Sequence, residues 1–293
     1  MAKQMVTKRR QAWGQQQQAT QFKGAALAYP VAVEGRYQAS LASMIDGMLA
    51  EYDKALRGLY KANPEVAQDE SVTTQARRIL ADLGRKWAKV FAEKAGPLAN
   101  RTIGQVDKFS KQNLGASLRD MSGGLTIKTF QMPAALYDKV LASTAENVAL
   151  IKSIPAQFQE RIQGIVLRSI QSGGQGAGQI FEEIQSLNQV TRNRAKLIAV
   201  DQTRKITSAM NEERMKAAGV KQFEWIHSGG GAEPRALHLK YDGEIFDMDN
   251  PPVIEDRGKH KGQRGFPGEL INCRCRMRPV IDFAQYLDEQ ATN

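Results

Sequence analysis

Apolar side chains at steps of three and four dominate the first two thirds of the chain. From Glu34 onward, Tyr37, Leu41, Met44, Ile45, Met48, Leu49, Tyr52, Leu56 and Leu59 form one stripe, which predicts an amphipathic helix stopped by Asn63 and Pro64. Val72, Ala76, Ile79, Leu80, Leu83, Trp87, Val90 and Phe91 predict a second helix that closes at Gly96 and Pro97. Ile103, Val106 and Phe109 mark a weaker third helix over residues 98–114. The period fades between 115 and 132 around Gly123 and Gly124, and residues 125–130 fit either a strand or a turn of helix. Pro133 opens another helix through Leu136, Tyr137, Val140, Leu141, Val148 and Ile151, interrupted at Pro155 and resumed by Phe158, Ile162, Ile165, Val166 and Ile170. Aromatics and methionines at this spacing are core material, and no cofactor is read into them.

The glycines from Gly173 to Gly178 follow a helical pattern and lack the Lys-Ser or Lys-Thr of a phosphate loop, so they read as a link between helices. Ile180, Phe181, Ile184 and Leu187 predict a short helix. A longer one follows through Ala195, Ile198, Ala199, Ile206 and Met210, with Gly219 as its C-cap. The outer face of the longer helix carries Arg192, Arg194, Lys196, Arg204 and Lys205 and reads as a solvated face, with a contact for phosphate as the alternative.

The period then changes to two: residues 223–226 predict a strand, and Asp242 with Gly243 turns the chain into a second short one over 244–246. From Asn272 to Val280 the sequence alternates, with Cys273, Cys275, Met277 and Pro279 on one side and Arg274, Arg276 and Arg278 on the other. The fold class expected is α+β and predominantly α-helical, with a helical N-terminal region and a small α+β C-terminal domain. The domains expected are a basic, Gln-rich flexible arm over 1–32, a helical domain over 33–132, a helical connector over 133–190 and the α+β domain over 191–293.

A length of 293 residues with 42% hydrophobic and 25% charged positions describes globular domains with ample core, which excludes a fibrous or fully disordered chain. The net charge of +10 points to a polyanionic partner, a nucleic acid or an acidic protein surface, with a basic surface kept for solubility as the alternative. Lys8, Arg9 and Arg10 in the arm and Arg274, Arg276 and Arg278 on the alternating strand are the candidate DNA contacts. The competing account of that strand is an edge guarded by charge against aggregation. No apolar run is long enough to span a membrane, and the Gln-rich sequence after Arg10 is unlike a signal peptide, so the chain is expected to stay where it is made. Two cysteines one residue apart fit a reducing compartment.

His238, Cys273 and Cys275 supply an imidazole and two thiolates, donors that suit zinc, and His227, His260 or Asp242 would complete a fourth position. The alternative is that both cysteines are small buried hydrophobes and His238 hydrogen-bonds a carbonyl; no cofactor is then required. His227, His238 and Asp242 are also the set that an acid/base nuclease would use. No nucleophile motif and no metal-spaced carboxylates accompany them, so a non-enzyme is expected.

The helix over 204–211, Trp225, Arg235 with His238, Asp242 and Gly243 with Phe246, Pro267, and Asn272, Cys273, Arg274 and Cys275 with Pro279 together resemble the phage Mu F-like minor head proteins, the phage head morphogenesis family. The resemblance covers about residues 155 to 283, and Asp201 and Gln202 stand where the family often carries a Thr-Glu pair. It implies structural roles for Trp225, Arg235, Asp242, Gly243, Asn272 and Pro279. It also implies a virion protein of a tailed-phage head, present in few copies or as an oligomer and made in the host cytoplasm. Its expected partners are the portal protein, the major capsid protein and double-stranded DNA, during packaging or ejection. The alternatives are a nucleic-acid-cleaving or toxin-like enzyme and a non-specific DNA-binding module.

Overall fold

The computed structural model describes residues 21–62, 70–121, 134–171, 177–229 and 233–282. Lys8, Arg9 and Arg10 lie outside these residues, as do Asn63, Pro64 and residues 125–130. The elements in chain order are β1 (Gln21–Lys23), α1 (Val31–Ala62), α2 (Glu70–Met121), α3 (Ala134–Gln171), α4 (Ala177–Ala217), β2 (Gln222–Ile226), α5 (Ala236–Lys240), β3 (Ile245–Asp247) and β4 (Arg276–Asp282), with a short 3-10 turn at Gly258–His260 before β4. The chain is mainly helical with a small antiparallel sheet, the α+β class expected. No helix among the described residues is long and apolar enough to cross a membrane.

Two compact units divide the chain, neither of them continuous in sequence. One comprises residues 30–106 and 140–203 and is helical. Its core is built from the stripes that the spacing marks: Tyr37, Leu41, Ile45, Met48 and Tyr52 of α1 close with Leu80 and Phe91 of α2, Ile151, Phe158 and Ile162 of α3, and Ile184 and Ala199 of α4. The Tyr52 and Phe158 rings meet edge to face at 5.0 Å, the geometry that their quadrupoles favour.

Two expected helix ends do not occur. α2 runs through Pro97 and α3 through Pro155. An interior proline removes one backbone bond and costs about 3 kcal/mol. Around Pro97, Phe91, Ala95, Leu98 and Ala99 are buried, and around Pro155 so are Ile151, Ile154 and Phe158. Breaking either helix there would expose these side chains, each worth about 1.5–3 kcal/mol for a large one, so packing wins over the local signal. The separate third helix expected over 98–114 is thus the continuation of α2, and the short and long helices around residue 190 are one helix, α4.

The other unit comprises residues 1–29, 107–139 and 204–293 and carries the sheet, ordered β1-β4-β2-β3 with every pair antiparallel. Gly219, at φ 76, ends α4: its N–H bonds Lys216 O and the Val220 N–H bonds Met215 O, with Met215 and Val220 both buried. This paired closure needs a left-handed residue, which glycine supplies without strain.

Residues 21–23, expected within the flexible arm, form β1 of the sheet, and the segment after them stays bonded alongside β4. β1 pairs with β4, Gly24 N–H bonds Pro279 O, Leu27 N–H bonds Met277 O, and Leu27 is buried. β4 is therefore an interior strand, which corrects the edge-strand account of its arginines. A proline inside such a strand is tolerated for a geometric reason. The carbonyl of Pro279 faces the β1 side, so its missing N–H is also on that side and none is lost from the β2 ladder, where Phe223 stands opposite.

Candidate functional site

The alternation expected around β4 holds in burial: Cys273, Cys275, Met277 and Pro279 are buried, Arg274 is exposed, and Arg276 and Arg278 are half-buried. The two cysteines enter the core beside Trp225, which is fully buried on β2 opposite Met277. α5 lies over them and inserts His238, only 3% exposed, whose ring meets Trp225 edge-on at 4.9 Å.

His238 Nε2 lies 2.9 Å from Ile254 O. A carbonyl only accepts, so Nε2 carries a proton, and Nδ1 is the ring nitrogen turned towards the sulfurs. That atom is 3.6 Å from Cys273 Sγ and 3.7 Å from Cys275 Sγ. The three donor atoms lie within 4.8 Å of one another, and all three residues are buried. Tyr241, the C-cap residue of α5, donates to Val253 O at 3.0 Å, so consecutive carbonyls of the 253–254 segment anchor the short helix.

The sulfurs are surrounded by N–H groups. The Gly268 amide donates to Cys273 Sγ at 3.4 Å. The Ser228 amide and the Trp225 indole favour a Cys275 thiolate, although the indole N–H makes no well-formed hydrogen bond. A hydrogen bond from the Cys275 thiol is the largest influence holding Cys273 well below the ordinary thiol range, and the same bond pushes Cys275 well above it. The two shifts run in opposite directions because two anions this close would repel.

The residues around this cluster hold its shape. Asn272 sits at φ 61, a left-handed position that asparagine tolerates, and it aims Cys273 inward. Arg235 Nη2 donates to Ile271 O at 3.2 Å. Asp242 Oδ1 accepts the His227 backbone N–H at 2.8 Å, and Gly243, at φ 84, donates to Trp225 O while Trp225 N–H donates to Glu244 O. Tyr29 donates to Cys275 O at 2.6 Å, and Ser208 donates to Pro267 O at 2.6 Å.

A cleft of about 550 Å³ opens beside the cluster, lined by His227, Glu233, Arg235, His238, Cys273 and Cys275 among others. The acid/base set expected from His227, His238 and Asp242 is not assembled as such. Asp242 holds a backbone amide, His227 Nδ1 accepts the Gly229 N–H, and His238 turns one nitrogen to a carbonyl and the other to sulfur.

Of the strand arginines, Arg278 donates to Glu224 Oε2 at 3.1 Å, and Lys23 reaches the same oxygen at 3.3 Å. Glu224 is 5% exposed, so the face read as wholly basic encloses a carboxylate directly opposite Arg278. A more open basic surface is the hairpin between Pro252 and Gly265, closed by Ile254 N–H to Gln263 O and Gly262 N–H to Glu255 O. Its tip presents Arg257, Lys259, His260 and Lys261, all exposed, around Gly258 and Gly262 at positive φ. The sequence signal for this surface was its run of basic residues between glycines.

A mainly helical chain that ends in a small antiparallel sheet around a buried His-Cys-Cys cluster is the class these observations define. Residues 160–278 match the family described as Phage Mu protein F like protein. Trp225, Arg235, Asp242, Gly243 and Asn272, together with the His238 cluster, all lie inside the match. The chain is also 30% identical over 185 residues to a Haemophilus influenzae protein described as uncharacterized, an alignment that covers 63% of this chain and 39% of that one. The chain thus spans well under half the length of the curated relative it matches. No solved structure matches.

Proposed function

We propose that this chain is a minor structural component of a tailed-phage head, acting in head morphogenesis beside the portal or inner capsid wall and touching packaged or ejecting DNA. The observation that carries the reading is the match of residues 160–278 to the Mu F-like family. The charge of +10 and the exposed basic hairpin support the DNA contact, because cations set beside densely packed phosphate release counterions and bind without regard to sequence. The long buried stripes of the helical unit fit a packing and assembly role, and no step of catalysis is assigned to the cleft.

Mass spectrometry of purified particles tests the reading, since it reports presence, copy number and processing together. The expected result is the polypeptide in the head fraction at a few copies per particle, co-purifying with portal protein. Particles that lack it yet assemble, fill and infect normally would overturn the proposal.

A further inference from the structure

We propose that His238, Cys273 and Cys275 bind one zinc-class metal ion whose fourth coordination position faces the cleft and is taken by water or an external donor. The argument is independent of the role in head assembly and rests on the geometry of the donors.

Zinc holds thiolate sulfur at about 2.3 Å and imidazole nitrogen at about 2.0–2.1 Å in a tetrahedron, which sets neighbouring N and S donors about 3.6 Å apart. The distances from His238 Nδ1 to the two sulfurs are 3.6 and 3.7 Å. A hydrogen-bonded core offers a weaker account of this arrangement. The Nδ1 position shares one hydrogen bond, yet two sulfurs stand close to it at 3.6 and 3.7 Å. A metal ion between them would use all three lone pairs at once.

The surroundings are those of a ligand set. The Nε2–H bond to Ile254 O fixes the tautomer that leaves Nδ1 free to coordinate, as outer partners of metal-bound histidines do. The Gly268, Ser228 and Trp225 N–H groups lie against sulfur and would offset thiolate charge. Trp225 and the left-handed turn at Asn272 hold the donors in place, so little reorganisation stands between the present geometry and a bound ion. The ligands come from segments 35 and 37 positions apart, so the ion would tie α5 to the approach of β4.

The fourth position follows from what is nearby. Among the described residues no further His, Cys, Asp or Glu donor joins the group. All three ligand residues line the cleft, whose other walls include His227 and Glu233. Closed structural zinc sites use four protein ligands, whereas three ligands and an exposed position admit a small external donor.

The full chain, purified without chelator, is expected to carry one zinc per chain by elemental mass spectrometry. Removing the ion should lower the melting temperature, and zinc should restore it. Cobalt(II) in place of zinc should give a thiolate-to-metal charge-transfer band with tetrahedral visible bands. Added imidazole should shift those visible bands, because it enters the open position. His238→Ala and Cys273→Ser should each lose the ion and the band, while His227→Ala keeps both. Wild-type protein that holds far less than one equivalent after zinc titration, and shows no cobalt charge-transfer band, would overturn the site whether or not the variants fold. Loss of metal in His227→Ala, or a cobalt spectrum indifferent to imidazole, would overturn the open position.

Discussion

The Tyr29 hydroxyl donates to the carbonyl oxygen of Cys275 at 2.6 Å, joining residues 246 positions apart. Burial pushes the Tyr29 phenol well above its ordinary range, so it remains a donor at every pH the fold survives. This single bond ties the segment after β1 to the backbone just after Cys275. Tyr29→Phe keeps the ring and leaves the carbonyl without that donor, and is expected to cost about 1–2 kcal/mol in urea unfolding. A larger effect should appear in the thermal transition of the sheet unit than in that of the helical unit.

Gly268 is held by two constraints at once. Its φ is 93°, and a Cβ there would stand 2.2 Å from Tyr29 Oη. Gly268→Ala should therefore lose about 2–4 kcal/mol, since backbone strain adds to a displaced tyrosine. Denaturant melts of Gly268→Ala, Tyr29→Phe and the double variant check the coupling. The clash with the hydroxyl predicts a double-variant loss smaller than the sum of the two single losses.

Burial pushes the Glu269 carboxyl up to about 7 from the ordinary 4.5. The folded state then keeps a proton that the unfolded chain releases between these values. The contribution of Glu269 to stability is full below about pH 4.5 and is lost as the pH rises through about 7, with a slope of up to about 1.4 kcal/mol per pH unit in that window. Glu269→Gln should flatten this slope. Stability measured from pH 4 to 8 in both proteins checks it, and identical slopes would refute the assignment.

The basic hairpin and the strand arginines should respond differently to substitution. Replacing Arg257, Lys259 and Lys261 by Glu is expected to weaken duplex DNA binding and reduce the slope of log affinity against log salt by about three, one per lost phosphate contact. Arg278→Ala should leave that slope nearly unchanged and instead destabilise the fold by about 1–2 kcal/mol, because buried Glu224 loses one of its two cations. Salt titrations of binding alongside unfolding curves separate the two effects.

The sequence by itself determined the secondary-structure types and the chemistry available. The stripes in α1 and α2, the cap at Gly219, the change of period after it and the two-sided pattern around Cys273 and Cys275 are properties of neighbouring residues, and local spacing carries them. Where local signals compete with distant packing, the tertiary structure decided. Pro97 and Pro155 lie inside helices because the burial of Phe91 and Phe158 outweighs one lost backbone bond each. β1 joins the sheet although residues 21–23 have no strand period, since the free side of β4 supplies its ladder. The candidate site divides in the same way. The residue types of the His-Cys-Cys set were present in the sequence, while their approach to within 4.8 Å, the carbonyl that sets the His238 tautomer and the glutamate that engages Arg278 all depend on which distant segments pack together.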